Sequence, residues 1–171
     1  MKYSKTLNVK YVGMLLVFLG VTTVFESCTC ERTAEKTSEK MIEKSMGGDA
    51  KVDMDDEKVT IETEEGTFTA DASANSWPKE VPGDVPEFKD GKIISVSTQE
   101  VNDTKNWVVI YEDVPQNALS KYREELENEG FNISYTTIVA SGGHLAAEKG
   151  ELAVMLMVGE GNATVTVGTN N

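Results

Sequence analysis

The chain has little of the side-chain chemistry from which most small catalytic and metal sites are built. Its one histidine, His144, excludes a metal site made of two or three imidazoles. Its two cysteines, Cys28 and Cys30, fall in one tripeptide, where a disulfide would close a strained ring and two thiolates alone are too few to hold zinc. No cysteine remains for a disulfide framework, which fits an exported domain that folds without one. Bases are scarce: 16 Lys and Arg stand against 29 Asp and Glu, a net charge of −13 over 171 residues. The first 27 residues carry Lys2, Lys5, Lys10 and only Glu26, so the remainder holds 13 bases against 28 acids, a net of −15. A field of that sign repels phosphate backbones and anionic headgroups. Nucleic acid is therefore disfavoured and is not expected as a partner, and any membrane attachment has to be apolar or covalent. The most apolar stretch, "YVGMLLVFLGVTTVF" from Tyr11 to Phe25, has 15 residues. As a helix it would span roughly 22 Å, short of a hydrocarbon core of about 30 Å.

What is present at the start is an export layout: basic "MKYSKTLNVK", the short apolar run, then acidic and polar "ERTAEKTSEK". The junction "VFESCTC" resembles a bacterial lipoprotein leader, with the small residue Ser27 before Cys28. Phe25 and Glu26 stand where Leu and a small neutral residue are usual. The resemblance implies removal of residues 1–27 and a diacylglyceryl thioether on Cys28 as the new N-terminus. A further acyl chain on the freed amine would exceed what stable anchoring requires. Cleavage after Thr29, giving a soluble protein, and an uncleaved tilted anchor are the alternatives. Both leave the thiols without a purpose, and Cys30 has no role in any of the three. The expectation is an exported cell-envelope protein, on the periplasmic or surface side, held to the membrane by lipid at Cys28.

Residues 28–71 read as a spacer and a small α-β-β-β unit. "TAEKTSEKMIEKSMGG" is a short amphipathic helix with apolar Ala34, Met41, Ile42 and Met46, ended by Gly47-Gly48. "AKVDMDDEKVTIETEEGTFTAD" then alternates with period two, the mark of half-buried strands. A turn at Asp56-Glu57 sets Val52 opposite Ile61 and Met54 opposite Val59; a turn at Glu65-Gly66 sets Thr63 opposite Phe68 and Ile61 opposite Ala70. Asp53, Asp55, Glu57 and Glu64 also match positions 1, 3, 5 and 12 of a calcium loop. Lys58 replaces the glycine that such a loop needs, and the hairpin accounts for the same residues without a metal.

Residues 72–87 form a Pro-rich linker or strap. Pro78, Pro82 and Pro86 follow Trp77, Val81 and Val85, which biases the segment to extended or polyproline conformation with apolar side chains on it. The expectation is a strap packed against the next domain, in preference to a ligand for a proline-recognising partner.

Residues 88–171 read as an α+β domain. Two strands, "GKIISVSTQE" and "NWVVIYED", precede a helix in "DVPQNALSKYREELENEGF". There Asp113 and Gln116 form a capping box, Pro115 sits in the first turn, Gly130 stops the helix and Phe131 packs back. Ala118, Leu119, Tyr122 and Leu126 share one face. Strands in "FNISYTTIVA", "HLAAEKG", "ELAVMLMVG" and "NATVTVGT" follow, broken at Gly142-Gly143, Lys149-Gly150 and Gly159 to Asn162. "LAVMLMV" is apolar on both alternations and so reads as a strand buried on both sides. Either Trp107, Val109 and Tyr111 or Val108 and Ile110 face the core. The expected fold class is α+β: a small helix plus three-stranded meander, then an antiparallel sheet of about five to six strands with one helix on a face, in β-β-α-β-β-β order.

The succession "EKMIEKSMGG", "KVTIETEEGTFT", "WPKEVPGDVPEF" and "EGF" resembles a family of uncharacterised bacterial exported proteins, often lipoproteins, over most of residues 31–168. The resemblance implies location and a two-part architecture, and carries no catalytic residue.

Motifs for chemistry are thin. "SGGH" sets His144 near Ser141, but a loop Gly-Gly-His is an exposed turn residue more often than a base, and no nucleophile elbow surrounds the serine. "GEGNAT" at 159–164 is a hairpin turn without the strand-then-helix setting of a phosphate loop. No carboxylate pair sits in a recognisable apolar pocket. No catalytic residue, metal ligand or cofactor is therefore nominated, and the one site residue is Cys28, for lipid. The sequence supports a non-enzymatic, lipid-anchored envelope protein that serves as a binding or assembly module for an envelope protein or glycan. The alternative is a small carboxylate-dependent hydrolase or lyase acting on envelope material.

Overall fold

A computed structural model describes residues 33–45, 50–102, 104–139 and 142–169, with side chains from residue 39 onward. The chain divides into two units after Ala34, and everything below belongs to the unit Glu35–Asn171 apart from the first residues of the first helix. That helix is α1 (Thr33–Ser45). It is followed by β1 (Lys51–Asp55), β2 (Lys58–Thr63), β3 (Gly66–Asp71), β4 (Lys92–Val101) and β5 (Thr104–Glu112). Helix α2 (Ala118–Asn128) leads into β6 (Asn132–Val139), β7 (Gly142–Lys149), β8 (Leu152–Gly159) and β9 (Asn162–Thr169).

All nine strands belong to one antiparallel sheet in the order β1-β2-β3-β4-β5-β9-β8-β7-β6. The expected fold class, a small meander beside a separate sheet of five to six strands, is corrected by this continuity. The joining seam is β3 against β4, where Phe68, Thr69 and Ala70 pair with Gln99, Thr98 and Ser97. Twenty residues of chain between Asp71 and Lys92 hide that pairing from local pattern, because loop length says nothing about which strands meet. Strands β1 to β5 form a meander. Helix α2 then carries the chain to the far edge, and β6 to β9 return as a second meander until β9 closes against β5.

Partners in an antiparallel ladder share a face, so the register traces rows across the whole sheet. One row is Met54, Val59, Ala70, Ser97, Val108, Thr166, Met155, Ala146 and Tyr135. Its neighbour on the opposite face is Asp53, Thr60, Thr69, Thr98, Trp107, Val167, Val154, Ala147 and Ile133. The first row is apolar at the β1 end, and the second is apolar at the β6 end. Each face thus changes character partway across, and the two cores lie on opposite faces.

The larger core lies on the face of Trp107, Val109 and Tyr111, which settles the choice that periodicity leaves open. It is covered by Ala118, Leu119, Tyr122 and Leu126 of α2, by Val81 and Val85 of the Pro-rich segment and by Phe88 directly after it. Leu126, Leu145 and Leu156 are almost fully excluded from solvent. Burial of such a side chain contributes about 1.5–3 kcal/mol. The smaller core, Val52, Val59 and Ile61 with Met54, Phe68 and Ile42 of α1, lies on the other face.

Three local expectations change and one holds. The second hairpin turns at Glu64-Glu65, so Thr63 pairs with Gly66 and Ile61 with Phe68, a slip of two residues that keeps every side chain on its expected face. Helix α2 begins at Ala118 without a side-chain cap: Asp113 takes a positive φ of 57° and the Ala118 N–H donates to Pro115 O, so the residues expected to cap are used in a turn. Its other end is a Schellman motif, with Gly130 at φ 85° and N–H groups of Gly130 and Phe131 donating to Glu127 O and Leu126 O. The Pro-rich segment is not extended. Val81 N–H donates to Pro78 O and Val85 N–H to Pro82 O, so the four-residue period is that of two successive turns, each dropping a valine into the core.

Candidate interaction surface

The lipid-site residue Cys28, its neighbour Cys30 and Ser141 lie outside the described residues. His144 stands in the body of β7 rather than in a turn, paired with Thr137 and Met157 and exposed. The adjoining Gly142 and Gly143 are also strand residues: a Cβ on Gly143 would lie 2.1 Å from the Thr137 carbonyl oxygen, so glycine here serves close approach of β6. The calcium-loop spacing does not converge. Strand β2, about 20 Å long by its rise, separates Glu57 at one turn from Glu64 at the next. Among the described residues no three His, Cys, Asp or Glu side chains gather where they could hold a metal ion.

The aromatic centre lies where the Pro-rich segment crosses the sheet. The Phe88 ring meets Tyr111 edge-on at 4.9 Å between centroids and Tyr122 at 5.2 Å. The Tyr122 hydroxyl donates to the Pro86 carbonyl at 2.8 Å. The Tyr111 hydroxyl and the Trp107 indole N–H are buried without a hydrogen-bond partner. Burial pushes the Tyr122 phenol up, with smaller contributions from Tyr111 and Glu125; burial and then Glu87 push Tyr111 up. A wide, shallow cleft of about 480 Å³ opens beside Tyr111, lined among others by Asn75, Ser76, Glu87, Lys89 and Lys92. Two ion pairs tie down the Pro-rich segment and the residues that follow it, Asp84 to Lys149 at 2.7 Å and Asp90 to Lys121 at 3.0 Å. The Lys149 ammonium, hydrogen-bonded to the Asp84 carboxyl, holds it below its usual range. Asp71 is likewise lowered, chiefly by the Ser73 hydroxyl.

The surface that stands out is the face opposite the larger core. From β4 to β6 it carries two rows without Asp, Glu, Lys or Arg: Ser97, Val108, Thr166, Met155, Ala146 and Tyr135, and Ser95, Ile110, Thr164, Met157, His144 and Thr137. Ile110 is 38% exposed, Met155 49%, Met157 44% and Tyr135 57%. The reading of "LAVMLMV" as buried on both sides is corrected here: Val154, Leu156 and Val158 are buried, whereas Met155 and Met157 face outward with nothing described over them. This face ends at β6, "NISYTTIV", a strand with no charged residue, whose Ile138 and Val139 are also exposed.

The two edges of the sheet differ. At β1 three of five residues, Lys51, Asp53 and Asp55, are charged. The β1 edge is also occupied by α1: the Val52 N–H donates to Glu43 Oε1 at 3.3 Å and the Met54 N–H to Glu39 Oε1 at 3.2 Å. Charge and capping are how natural sheets keep an edge from pairing. Strand β6 has no charged residue, and among the described residues no strand or carboxylate occupies its outer edge. Sequence reading misses this surface, although the uncharged run in β6 is available as a signal.

Comparison with protein families, curated proteins and solved structures finds no match for the chain. No helix among the described residues is long and apolar enough to cross a membrane.

Proposed function

We propose that the protein is a non-enzymatic cell-envelope protein, anchored by acyl chains on Cys28, whose sheet serves as a module for binding or assembly with protein. The observation that carries this reading is the two uncharged, partly apolar rows and the uncharged edge strand β6 on a chain of net charge −13. Exposed Met, Ile and Tyr side chains beside Ser and Thr hydroxyls suit a protein surface, because depletion of charge and enrichment in Met and Tyr mark the centres of protein interfaces. The anchor is supported by the leader layout and by Ser27-Cys28 at its end, and the resemblance to exported lipoproteins agrees with it. Lipid at Cys28 would hold this acidic molecule at a surface whose headgroups repel it.

The test is an intact mass of the protein from the membrane fraction, for the wild type and for Cys28→Ala. The expected wild type begins at Cys28 and carries acyl mass, and the variant leaves the membrane or keeps its leader. A wild type without acyl mass would remove the anchor from the account.

A further inference from the structure

We propose that β6 is a pairing edge, through which two copies of this chain join antiparallel about a two-fold axis into one continuous sheet. This deepens the reading above by naming the partner as a second copy. The edge itself fixes the chemistry of what it takes: an extended strand, whose N–H and C=O groups meet those that β6 presents outward. No described strand lies on that side of β6, and its side chains offer an incoming strand neither repulsion nor a charge to desolvate.

Two observations favour a second copy. The first is charge. A protein of net −13 repels its own copies over much of its surface, and Tyr135–Val139 with the two rows beside it is a stretch that carries no Asp or Glu to confront an equally acidic copy. The opposite edge shows the contrast, since Glu39 and Glu43 occupy the β1 amides and would confront a like-charged visitor. The second is self-complementarity. A bulge between Ile133 and Tyr135 ends the regular pairing of β6 on that side and leaves Tyr135 to Val139 as the straight run. A two-fold through Thr137 sets Tyr135 opposite Val139 of the second copy on the open face, and Thr136 opposite Ile138 on the other. Ring against β-branched side chain is a favourable cross-strand pair, and a slip of one residue would reverse every face. Gly143 lets β6 seat tightly on β7, so the edge is held firmly for pairing.

The run of five residues is about 17 Å long, and strand-to-strand contact of that length buries less than the roughly 1,200 Å² of a stable interface. The dimer is therefore weak in dilute solution. Tethering of copies to one membrane raises their effective concentration and the dimer population with it.

The experiment uses the full chain with Cys28→Ala and Cys30→Ala, which removes both the acyl site and the native thiols. In that background Thr137→Cys is expected to form an intermolecular disulfide on mild oxidation, because partners across the axis lie about 4.5–5.5 Å apart at Cα. Ser120→Cys, exposed on α2, is the control and is expected to stay monomeric. Sedimentation velocity over a concentration series is expected to show a dimer whose dissociation constant rises about tenfold or more with Ile138→Lys and is unchanged with Asp53→Lys. Circular dichroism establishes that each variant folds, and Val139→Lys replaces Ile138→Lys if it does not. Association through the apolar leader would be blind to residues 137 and 138. The proposal is overturned by a monomer at all concentrations up to about several hundred micromolar, a range that covers weak interfaces. It is equally overturned by cross-linking no greater at 137 than at 120, or by a different protein found protecting the β6 amides. Because this chain lacks the acyl site, a monomeric result leaves the anchor at Cys28 standing, and an unacylated wild type leaves the dimer standing.

Discussion

Tyr111 and Tyr122 flank the Phe88 ring, and their hydroxyls have opposite fates: one donates to Pro86 and the other is buried without a partner. Replacing Tyr122 by Phe removes a hydrogen bond and strands a partly buried carbonyl, and is expected to cost about 1 kcal/mol in urea unfolding. Replacing Tyr111 by Phe removes a buried hydroxyl that gains nothing, and is expected to leave stability unchanged or to raise it by up to about 1 kcal/mol. Both phenols are pushed above their ordinary pKa, first by burial. A group whose proton is held more tightly in the fold contributes stability that is complete below its unfolded pKa of about 10 and is lost as pH rises beyond it. Two of the five tyrosines are therefore expected to ionise only as the protein unfolds, so that part of the tyrosinate absorbance at high pH rises together with loss of near-ultraviolet circular dichroism. Much at this scale is legible in the chain. Spacing alone puts Ala118, Leu119, Tyr122 and Leu126 on one face, and all four are buried. Trp107, Val109 and Tyr111 are not separable in this way from Val108 and Ile110, because both alternations of β5 are apolar and only the cover from α2 and the Pro-rich segment distinguishes them.

Elements are legible where a single local rule governs them and obscure where two compete. The end of α2 follows from Gly130 and Phe131, whose Schellman motif needs no tertiary partner to be recognised. Its start is displaced from the expected one because Asp113 to Asn117 also make a turn, fixed by the Val114 N–H donating to Gly161 O between β8 and β9. That long-range bond is invisible in the sequence. Gly142 and Gly143 read as a break, since glycine marks turns more often than tight strand contacts. The structure makes Gly143 a spacer, which gives a prediction. Gly143→Ala would push a Cβ into the Thr137 carbonyl and is expected to destabilise by about 1–3 kcal/mol, with hydrogen exchange rising first in β6. Gly159→Ala, where the added carbon meets nothing within 4 Å, is expected to change exchange in β6 little.

At the scale of the whole molecule, the sheet carries a core on each face, and this is why the chain reads as two pieces. Period two reveals which residues of a strand share a side, but not whether the apolar side of β2 is the apolar side of β5. In the fold they are opposite: Val59 and Ile61 belong to one core, Trp107 and Val109 to the other. The polar middle of β4, with Ser95, Ser97, Thr98 and Gln99, is where the change of face occurs. The same change uncovers the Met, Ile and Thr rows beside β6, so the candidate surface is no more legible than the seam that creates it. The lipid site, by contrast, is a reading of the leader alone. Cross-strand nuclear Overhauser contacts between β3 and β4 test the continuity most directly. The account predicts them in the register of Phe68 with Gln99, Thr69 with Thr98 and Ala70 with Ser97. Their absence, with β3 amides exchanging as a free edge, would contradict a single nine-stranded sheet and with it the placement of both faces.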